Sequence, residues 1–395
     1  MLKKPRVGLI GEFGDFGGTT VSSGHLSELL SDSLEMVPIR FAMSGAEEDW
    51  AGRVEVRERP GRSPAYVVFA ADFNIERILV PELGDQMLNK ELRVRSWAEQ
   101  ALSIARRERL DAIHVYGGYG ELAFIGAYVS ALIDKPLVLT FCGQDLERRI
   151  FGAAYPHLKA AAEQAVLVTC KSEKAQRIVE RLLRPAAPIR IIRNHVAEAD
   201  FDLEAVVERR GDDPVIGCFG EFRRVVGLDV LLCAYGTLVT QRPLTLALGG
   251  PIRATEAAYF NRRIEALPEQ ARVWRMGRIP HARMLAACRA CDLIVAPSYA
   301  DTSPFKVLEA MLAGVPLVTT TAGGIPELVT PEHEALLIEP GDAEGLAQAI
   351  ARILDDPELG RSLAERARAR VLSEFTRERE RGDWLAAYRA SEILA

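Results

Sequence analysis

Short apolar runs alternate with amphipathic stretches along the first half of the chain. The runs predict strands at Val7–Ile10, Ala112–Tyr116, Leu137–Phe141, Val166–Cys170 and Ile189–Ile192. Helical spacing follows several of them, at Ser22–Leu30, Glu121–Leu132, Pro156–Gln164 and Ser172–Leu183. The segment Ser44–Leu92 fits this scheme least well. It shows two strand-like runs, Val54–Glu58 and Tyr66–Ala70, in a long stretch that we expect to be irregular.

The second half repeats the same alternation. Strands are predicted at Val215–Phe219, Leu244–Leu248, Arg272–Arg275, Leu293–Ala296, Pro316–Val318 and Ala335–Ile338. The predicted helices are Leu228–Leu238, Ala254–Ala266, Ala282–Arg289, Pro304–Leu312 and Ala343–Leu354, and two charged helices, Leu359–Phe375 and Thr376–Ile393, end the chain. Alternating strands and helices predict parallel sheets that are covered on both faces.

The fold class expected from this pattern is α/β, with two Rossmann-like doubly wound domains facing a central cleft and with C-terminal helices. The predicted boundaries are an N-terminal domain at 1–196, a charged linker at 197–213 and a C-terminal domain at 214–375. The terminal helix, 376–395, is expected to pack back on the N-terminal domain. Ligands of such sheets bind at the carboxyl ends of the strands, so the cleft is the expected site.

Charge and apolar length limit the classes of partner. A net charge of −6 offers no basic field for nucleic acid, so no nucleic-acid partner is expected. The longest largely apolar stretch, Leu122–Ile133, is too short to span a bilayer, and the N-terminus indicates a first strand instead of a signal peptide. We therefore expect a cytoplasmic protein, with peripheral membrane contact and oligomeric state left open. The excess of Arg over Lys, with many Ala and Leu, suggests a GC-rich bacterial source.

Several familiar motifs are absent or isolated. Cys288 and Cys291 form a CxxC without a second pair, and the acidic triplet at 200–202 lies in the predicted linker, so no metal site is expected. The glycines of Gly11–Gly24 do not follow GxGxxG, which gives an NAD site little support. The chain has neither a P-loop nor a GxSxG motif, which argues against a P-loop enzyme and an α/β-hydrolase.

The most informative segment, Ser298–Glu327, carries two carboxylates beside a predicted helix start. Ser303 is expected to be the N-cap and Pro304 the first helical residue. Free N–H groups and the helix dipole favour an anion there, and Glu309 follows roughly 7–8 Å along the axis. Asp301 and Glu309 could therefore hold hydroxyl groups on either side of a phosphate. The alternative is an ordinary capped βα unit with two exposed acids.

The order of the motifs resembles the retaining glycosyltransferases of family 4, which have the GT-B fold. The family pattern of a carboxylate, seven residues and a glutamate in LEAM matches D-TSPFKVL-E, and LEAMLAGVPLV and GGIPE follow. Upstream segments match in order, at Gly220–Tyr235, Leu246–Gly250 and Met276–Ser298, and in the first half at His114–Ala123, Leu139–Leu146 and Arg193–Val196. The resemblance covers nearly the whole chain except Ser44–Leu92.

The resemblance implies a role for each matching position. Glu309 would bind the ribose of a nucleotide sugar, Asp301 a sugar hydroxyl, and the backbone of Ser303, Pro304 and Phe305 the β-phosphate. Arg278 and Ile279 would meet the base, and Gly17 and Gly18 would approach the diphosphate from the other domain. Beyond the nucleotide-diphosphate sugar, of UDP or GDP type, no cofactor and no metal are implied.

Three segments depart from the family pattern. Asp301 replaces glutamate, which is a familiar variant. Glu221 and Val226 stand where relatives often carry Arg and Lys, so Arg223 and Arg224 are expected to supply the positive charge. Cys142 stands where many relatives have His, which leaves Gln144 and Asp145 as the polar groups of that segment. The expected catalytic residues are therefore Asp301, Arg223, Cys142 and Asp145.

The expected function is retaining transfer of a sugar from a nucleotide-diphosphate sugar to a hydroxyl acceptor, a glycan or a natural product, without a metal. The departures at Val226 and Cys142 keep a second hypothesis open, a catalytically weak or inactive partner subunit on the same fold. A nucleotide-sugar epimerase is a third. The sequence identifies neither the acceptor nor the base of the donor.

Overall fold

The computed structural model describes residues 3–11, 18–44, 52–71, 85–117, 120–143, 146, 149–152 and 155–394. The chain forms two compact units. The first comprises Met1–Lys171, Ala175–Ile192 and Arg381–Ala395, and the second comprises Ser172–Lys174 and Arg193–Glu380.

Eight strands form the sheet of the first unit. They are β1 (Arg6–Gly11), β2 (Glu35–Ser44), β3 (Arg53–Arg59), β4 (Arg62–Ala71), β5 (Ala112–Tyr116), β6 (Leu137–Phe141), β7 (Leu167–Cys170) and β8 (Ile189–Ile191). Their order is β3-β4-β2-β1-β5-β6-β7-β8, and every neighbouring pair is parallel except β3 with β4. Helices α1 (Gly18–Leu29), α2 (Asp85–Glu108), α3 (Gly120–Ile133), α4 (Tyr155–Gln164) and α5 (Glu173–Leu182) alternate with the strands.

The two strand-like runs of Ser44–Leu92 are confirmed as β3 and β4, and the described part of this segment is more regular than expected. β3 and β4 form an antiparallel hairpin whose turn contains Gly61 at φ 68°, and β4 continues the sheet beside β2. β2 was not predicted, because Pro38 interrupts a run that otherwise has strand character. α2 was not predicted either, and α1 begins at Gly18 instead of near Ser22.

The sheet of the second unit is entirely parallel. Its strands are β9 (Val215–Phe219), β10 (Thr245–Gly249), β11 (Arg272–Gly277), β12 (Leu293–Ala296), β13 (Leu317–Thr320) and β14 (Leu336–Ile338). The helices are α6 (Leu228–Val239), α7 (Ala257–Glu265), α8 (Met284–Arg289), α9 (Phe305–Ala313), α10 (Ile325–Leu328), α11 (Ala343–Asp355) and α12 (Pro357–Glu374). The last helix, α13 (Arg377–Ala390), belongs to the first unit from Arg381 onward. The predicted fold class, two Rossmann-like α/β units of the GT-B type with C-terminal helices, is confirmed.

The strand order of the second sheet, β11-β10-β9-β12-β13-β14, reverses direction between β9 and β12. Both strands are fully buried, which explains their continuous apolar sequences. In open parallel sheets a crevice forms at the carboxyl ends of the two strands that flank such a reversal. The segments that follow Phe219 and Ala296 therefore meet at the place where a ligand is expected.

The core of the first unit includes the end of the chain. Trp384 and Tyr388 are fully buried and belong to the same apolar cluster as Leu9, Leu26 and Val138. Among the described residues, no helix combines the length and the apolar composition that a bilayer span requires.

Candidate functional site

The loop between β12 and α9 carries the predicted phosphate site. The helix begins at Phe305, and Pro304 is its N-cap, so the predictions of Ser303 as cap and Pro304 as first helical residue were wrong. Ser303 has a different contact: Nδ2 of Asn194 lies 3.1 Å from its carbonyl oxygen and 3.4 Å from its Oγ. The serine is thereby anchored to a neighbouring segment of the same unit.

The glycine turn after β13 fixes the position of this loop. The backbone N–H of Gly324 donates to the carbonyl oxygen of Asp301 at 2.9 Å. A Cβ on Gly323, which has φ 58°, would lie 1.7 Å from the same oxygen, and a Cβ on Gly324 would lie 2.1 Å from the carbonyl oxygen of Thr302. Larger residues cannot approach so closely, and the GGIPE motif therefore holds the Asp301 loop by backbone contact.

Asp301 contacts a lysine that the sequence analysis did not single out. Nζ of Lys306 lies 3.3 Å from Oδ2 of Asp301 and donates a hydrogen bond to Oγ of Ser298 at 2.7 Å. The signal for Lys306 was present in the sequence, since it is a cation in the first turn of a helix whose N-terminus was expected to face an anion.

Glu309 is buried and pairs with His281, another residue that sequence reasoning missed. Its Oε1 lies 3.2 Å from Nε2 of His281. The Glu309 carboxylate, as acceptor for the imidazole N–H and as a neighbouring negative charge, raises the pKa of His281 despite the opposing effect of burial, and the charge of Asp200 adds to the increase. Because only one of the two acids, Asp301, is appreciably exposed, the alternative of a βα unit with two exposed acids does not fit.

The turn after β9 is built on close backbone contacts. Gly220 and Gly250 have φ 127° and 140°, and a Cβ on Gly250 would lie 1.9 Å from the carbonyl oxygen of Gly220. Gly227, at φ 77°, would place a Cβ 1.8 Å from the carbonyl oxygen of Pro297. The turn after β9 therefore lies directly against the segment that follows β12.

The two arginines of this turn have local partners. Arg223 lies 3.3 Å from the Glu221 carboxylate, which also binds Arg253 at 2.7 Å. Arg224 stacks on the ring of Tyr259, with its guanidinium carbon 4.5 Å from the ring centroid. Val226, at the position of the family lysine, is buried. The positive charge expected from the arginines is thus partly compensated within the turn.

The predicted base-binding residues follow β11. Arg278 is exposed and Ile279 is half-buried. Gly249, at the end of β10, packs against Phe219 and Ile279, and a Cβ there would lie 2.3 Å from Cδ1 of Phe219 and 2.6 Å from Cδ1 of Ile279.

The remaining predicted residues belong to the first unit. Gly18 is exposed and opens α1, and Cys142 is half-buried against the apolar cluster that contains Trp384. Gly17 and Asp145, like Gln144, lie outside the described residues.

A buried polar row in the first unit was not predicted. The ring nitrogens of His114 lie 2.7 Å from the hydroxyls of Tyr388 and Thr140, and Thr140 bonds Thr169 at 2.7 Å. Burial, with a smaller contribution from the charge of Lys171, lowers the pKa of His114 to about 3. The imidazole is therefore neutral at ordinary pH and has a hydroxyl contact at each ring nitrogen.

Comparison with known proteins finds similar sequences. Residues 200–370 match the family model of glycosyl transferases group 1. The N-acetyl-alpha-D-glucosaminyl L-malate synthase of Bacillus anthracis is 27% identical over 292 residues, 71% of this chain and 75% of that protein.

Two solved structures share the fold over almost the whole chain. Sucrose-phosphate synthase from Thermosynechococcus elongatus superposes with a TM-score of 0.77 at 22% identity, over 98% of each chain. Anabaena HepE, in complex with UDP, has a TM-score of 0.73 at 19% identity, over 98% of this chain and 100% of its own. Residues 200–370 therefore form a glycosyl transferases group 1 domain, and the chain is a glycosyltransferase.

Proposed function

We propose that the protein transfers a sugar from a nucleotide-diphosphate sugar to a hydroxyl acceptor, with retention of the anomeric configuration and without a metal. The observation that carries the proposal is the meeting of the Asp301 loop, the start of α9 and the turn after β9 at the strand reversal of the second sheet. Complexes of Anabaena HepE with UDP and with UDP-glucose support a donor of this class.

Different residues would bind different parts of the donor. Backbone N–H groups at Phe305 and the preceding loop would receive the β-phosphate, where the helix dipole favours negative charge. Glu309, oriented by His281, would accept from the ribose hydroxyls, and Asp301 would accept from a sugar hydroxyl. Arg278 and Ile279 would contact the base through the backbone.

In the proposed reaction the bond between the anomeric carbon and the β-phosphate oxygen breaks, and its electron pair stays with the nucleoside diphosphate. The acceptor oxygen bonds the same face of that carbon, and the acceptor proton passes to the departing phosphate oxygen. Positioning and the stabilisation of the leaving diphosphate would supply most of the rate.

One observation favours a second candidate, a donor-binding subunit with little turnover. Arg223 shares the Glu221 carboxylate with Arg253, and Val226 carries no charge, so this turn offers less neutralisation to a leaving group. Such a protein would bind the donor but release nucleoside diphosphate very slowly.

The test is a panel of UDP and GDP sugars, scored by thermal shift and by release of nucleoside diphosphate. Stabilisation with turnover is expected, and Asp301→Asn should lose turnover. Absence of stabilisation by every nucleoside diphosphate would overturn the donor site, and stabilisation without turnover would favour the second candidate. An inverted product anomer by NMR would contradict retention, and inhibition by EDTA would contradict metal independence.

A further inference from the structure

We propose that Lys306 is the cation that binds the diphosphate of the donor and neutralises it as it leaves. This inference rests on the proposed function and assigns one of its unassigned roles. No part of the family pattern given above places a lysine at this position.

The side chain of Lys306 lies at the strand reversal of the second sheet. Its Nζ donates to Oγ of Ser298, the second residue after β12, at 2.7 Å. It also acts on Cys218 in β9, whose thiol pKa burial raises to about 12 while the positive charge of Lys306 opposes that rise. The ammonium group therefore lies beside the segment that follows β12, one of the two strands that flank the expected crevice.

The helix end where Lys306 stands offsets part of the stabilisation that the lysine gains from Asp301 and Ser298. Lys306 is the second residue of α9, where the helix dipole repels positive charge. Its side chain is only 15% exposed, so hydration offsets little of that repulsion. A diphosphate at the same helix end would outweigh this repulsion, because it attracts both the ammonium group and the N–H groups of the first turn.

The neighbouring turn explains why a cation is needed from α9. The backbone N–H of Tyr299 donates to the carbonyl oxygen of Val225 at 2.9 Å, and Gly227 packs on Pro297. The turn that contains Val226 thus lies against the segment that ends in Ser298, the hydrogen-bond partner of Lys306. Lys306, which lies beside Ser298 across this contact, would supply the positive charge that Val226 lacks.

Lys306 has two alternative anionic partners, the Asp301 carboxylate and the diphosphate of the donor. In the structure its Oδ2 lies 3.3 Å from Nζ of Lys306 and holds the ammonium group at the crevice. A diphosphate carries more negative charge than one carboxylate and would draw the lysine toward itself. Asp301 would then be available to accept a hydrogen bond from the sugar, so phosphate binding and sugar binding would be coupled through one ion pair.

The experiment compares Lys306→Met and Lys306→Arg with the wild type, using calorimetric titration of UDP, GDP, UMP and GMP. Lys306→Met keeps the length of the side chain and removes its charge. We expect it to weaken binding of the preferred nucleoside diphosphate about tenfold or more, and to weaken the monophosphate less. Lys306→Arg should recover part of the loss. Lys174→Met is the matched control, because Lys174 is also the second residue of a helix but is exposed, and it should bind like the wild type.

The outcomes separate this inference from the proposed function. Wild-type affinity in Lys306→Met, with an unchanged melting temperature, would overturn the role of Lys306 and leave the donor site standing. An equal loss for monophosphate and diphosphate would also overturn it, since the lysine would then not act on the diphosphate. If the wild type binds none of the nucleotides and releases none from any donor, the proposed function fails and this inference fails with it.

Discussion

Oε1 of Glu309 lies 3.2 Å from Nε2 of His281, and the pair joins α9 to the segment that follows β11. The carboxylate is buried, so the histidine both compensates its charge and fixes its direction. In the proposed function Glu309 receives the ribose and Arg278 and Ile279 meet the base. One ion pair would therefore set the spacing between two parts of the nucleoside site.

This pair predicts a loss of stability as the pH rises. The hydrogen bond that His281 donates to Glu309 raises the pKa of the histidine in the folded state above its unfolded value of about 6.5. The contribution is fully present below pH about 6.5 and is lost as the pH rises through the higher folded pKa. Denaturant midpoints from pH 7 to 9, above the range in which His114 contributes, should show this decline in the wild type and less of it in His281→Gln. The exposed-surface variant His157→Gln should keep the wild-type slope, and an identical slope in all three proteins would contradict the prediction.

His114 predicts the opposite dependence at acid pH. Burial lowers its folded pKa to about 3, so between pH 6.5 and 3 the unfolded chain binds a proton that the folded chain does not. Stability should therefore fall with decreasing pH, by up to about 1.4 kcal/mol per pH unit from this group. His114→Gln should flatten that part of the profile although it is itself less stable. A profile as steep as that of the wild type would show that other groups cause the acid sensitivity.

The contact between the two loops of the second unit predicts a large effect of one methyl group. Gly227→Ala combines a positive φ with a Cβ placed 1.8 Å from the carbonyl oxygen of Pro297, and we expect a loss of about 2 kcal/mol or more. Gly236→Ala, in the interior of α6, meets only ordinary contacts at 3.6 and 3.8 Å and should stabilise by about 0.5–1 kcal/mol. Urea unfolding measures both, and equal effects would refute the close approach.

Glu221 predicts a gain of affinity on mutation. Its carboxylate binds Arg253 and Arg223 at the carboxyl end of β9, where it opposes an anionic ligand. Glu221→Gln should tighten binding of a nucleoside diphosphate about twofold to tenfold at low ionic strength, and salt should reduce the gain. Glu265→Gln changes the net charge equally but lies at the last residue of α7, and it serves as the control in the same titrations. Weaker binding in Glu221→Gln would contradict this electrostatic account.

Local patterns were sufficient for much of the second unit. The buried strands β9 and β12 follow the apolar runs from which they were predicted, because a parallel sheet covered on both faces needs continuous apolar sequence. The position of Asp301 before α9 follows from one loop and one helix start. Interactions between distant segments could not be predicted from the sequence. His281 reaches Glu309 across 28 positions, and Asn194 reaches Ser303 across 109, and neither spacing leaves a periodic signal.

The N-cap of α9 is another feature that local sequence patterns did not predict. Serine before proline is a strong sign of a capped helix start, and Asn194 instead contacts the serine. In the first unit, Pro38 concealed β2, since the strand tolerates a proline that local rules read as a break. Tertiary partners decided both cases, and a single sequence does not name them.

The burial of Trp384 and Tyr388 in the first unit has a consequence for how the protein is made. A ribosome releases Leu9 and Leu26 long before it reaches Trp384, yet these residues share one apolar cluster. The first unit cannot complete its core during translation until the whole second unit has emerged. Nascent chains should therefore expose apolar surface near β1 and α1 for most of synthesis, and that surface is where a cotranslational chaperone would find its substrate.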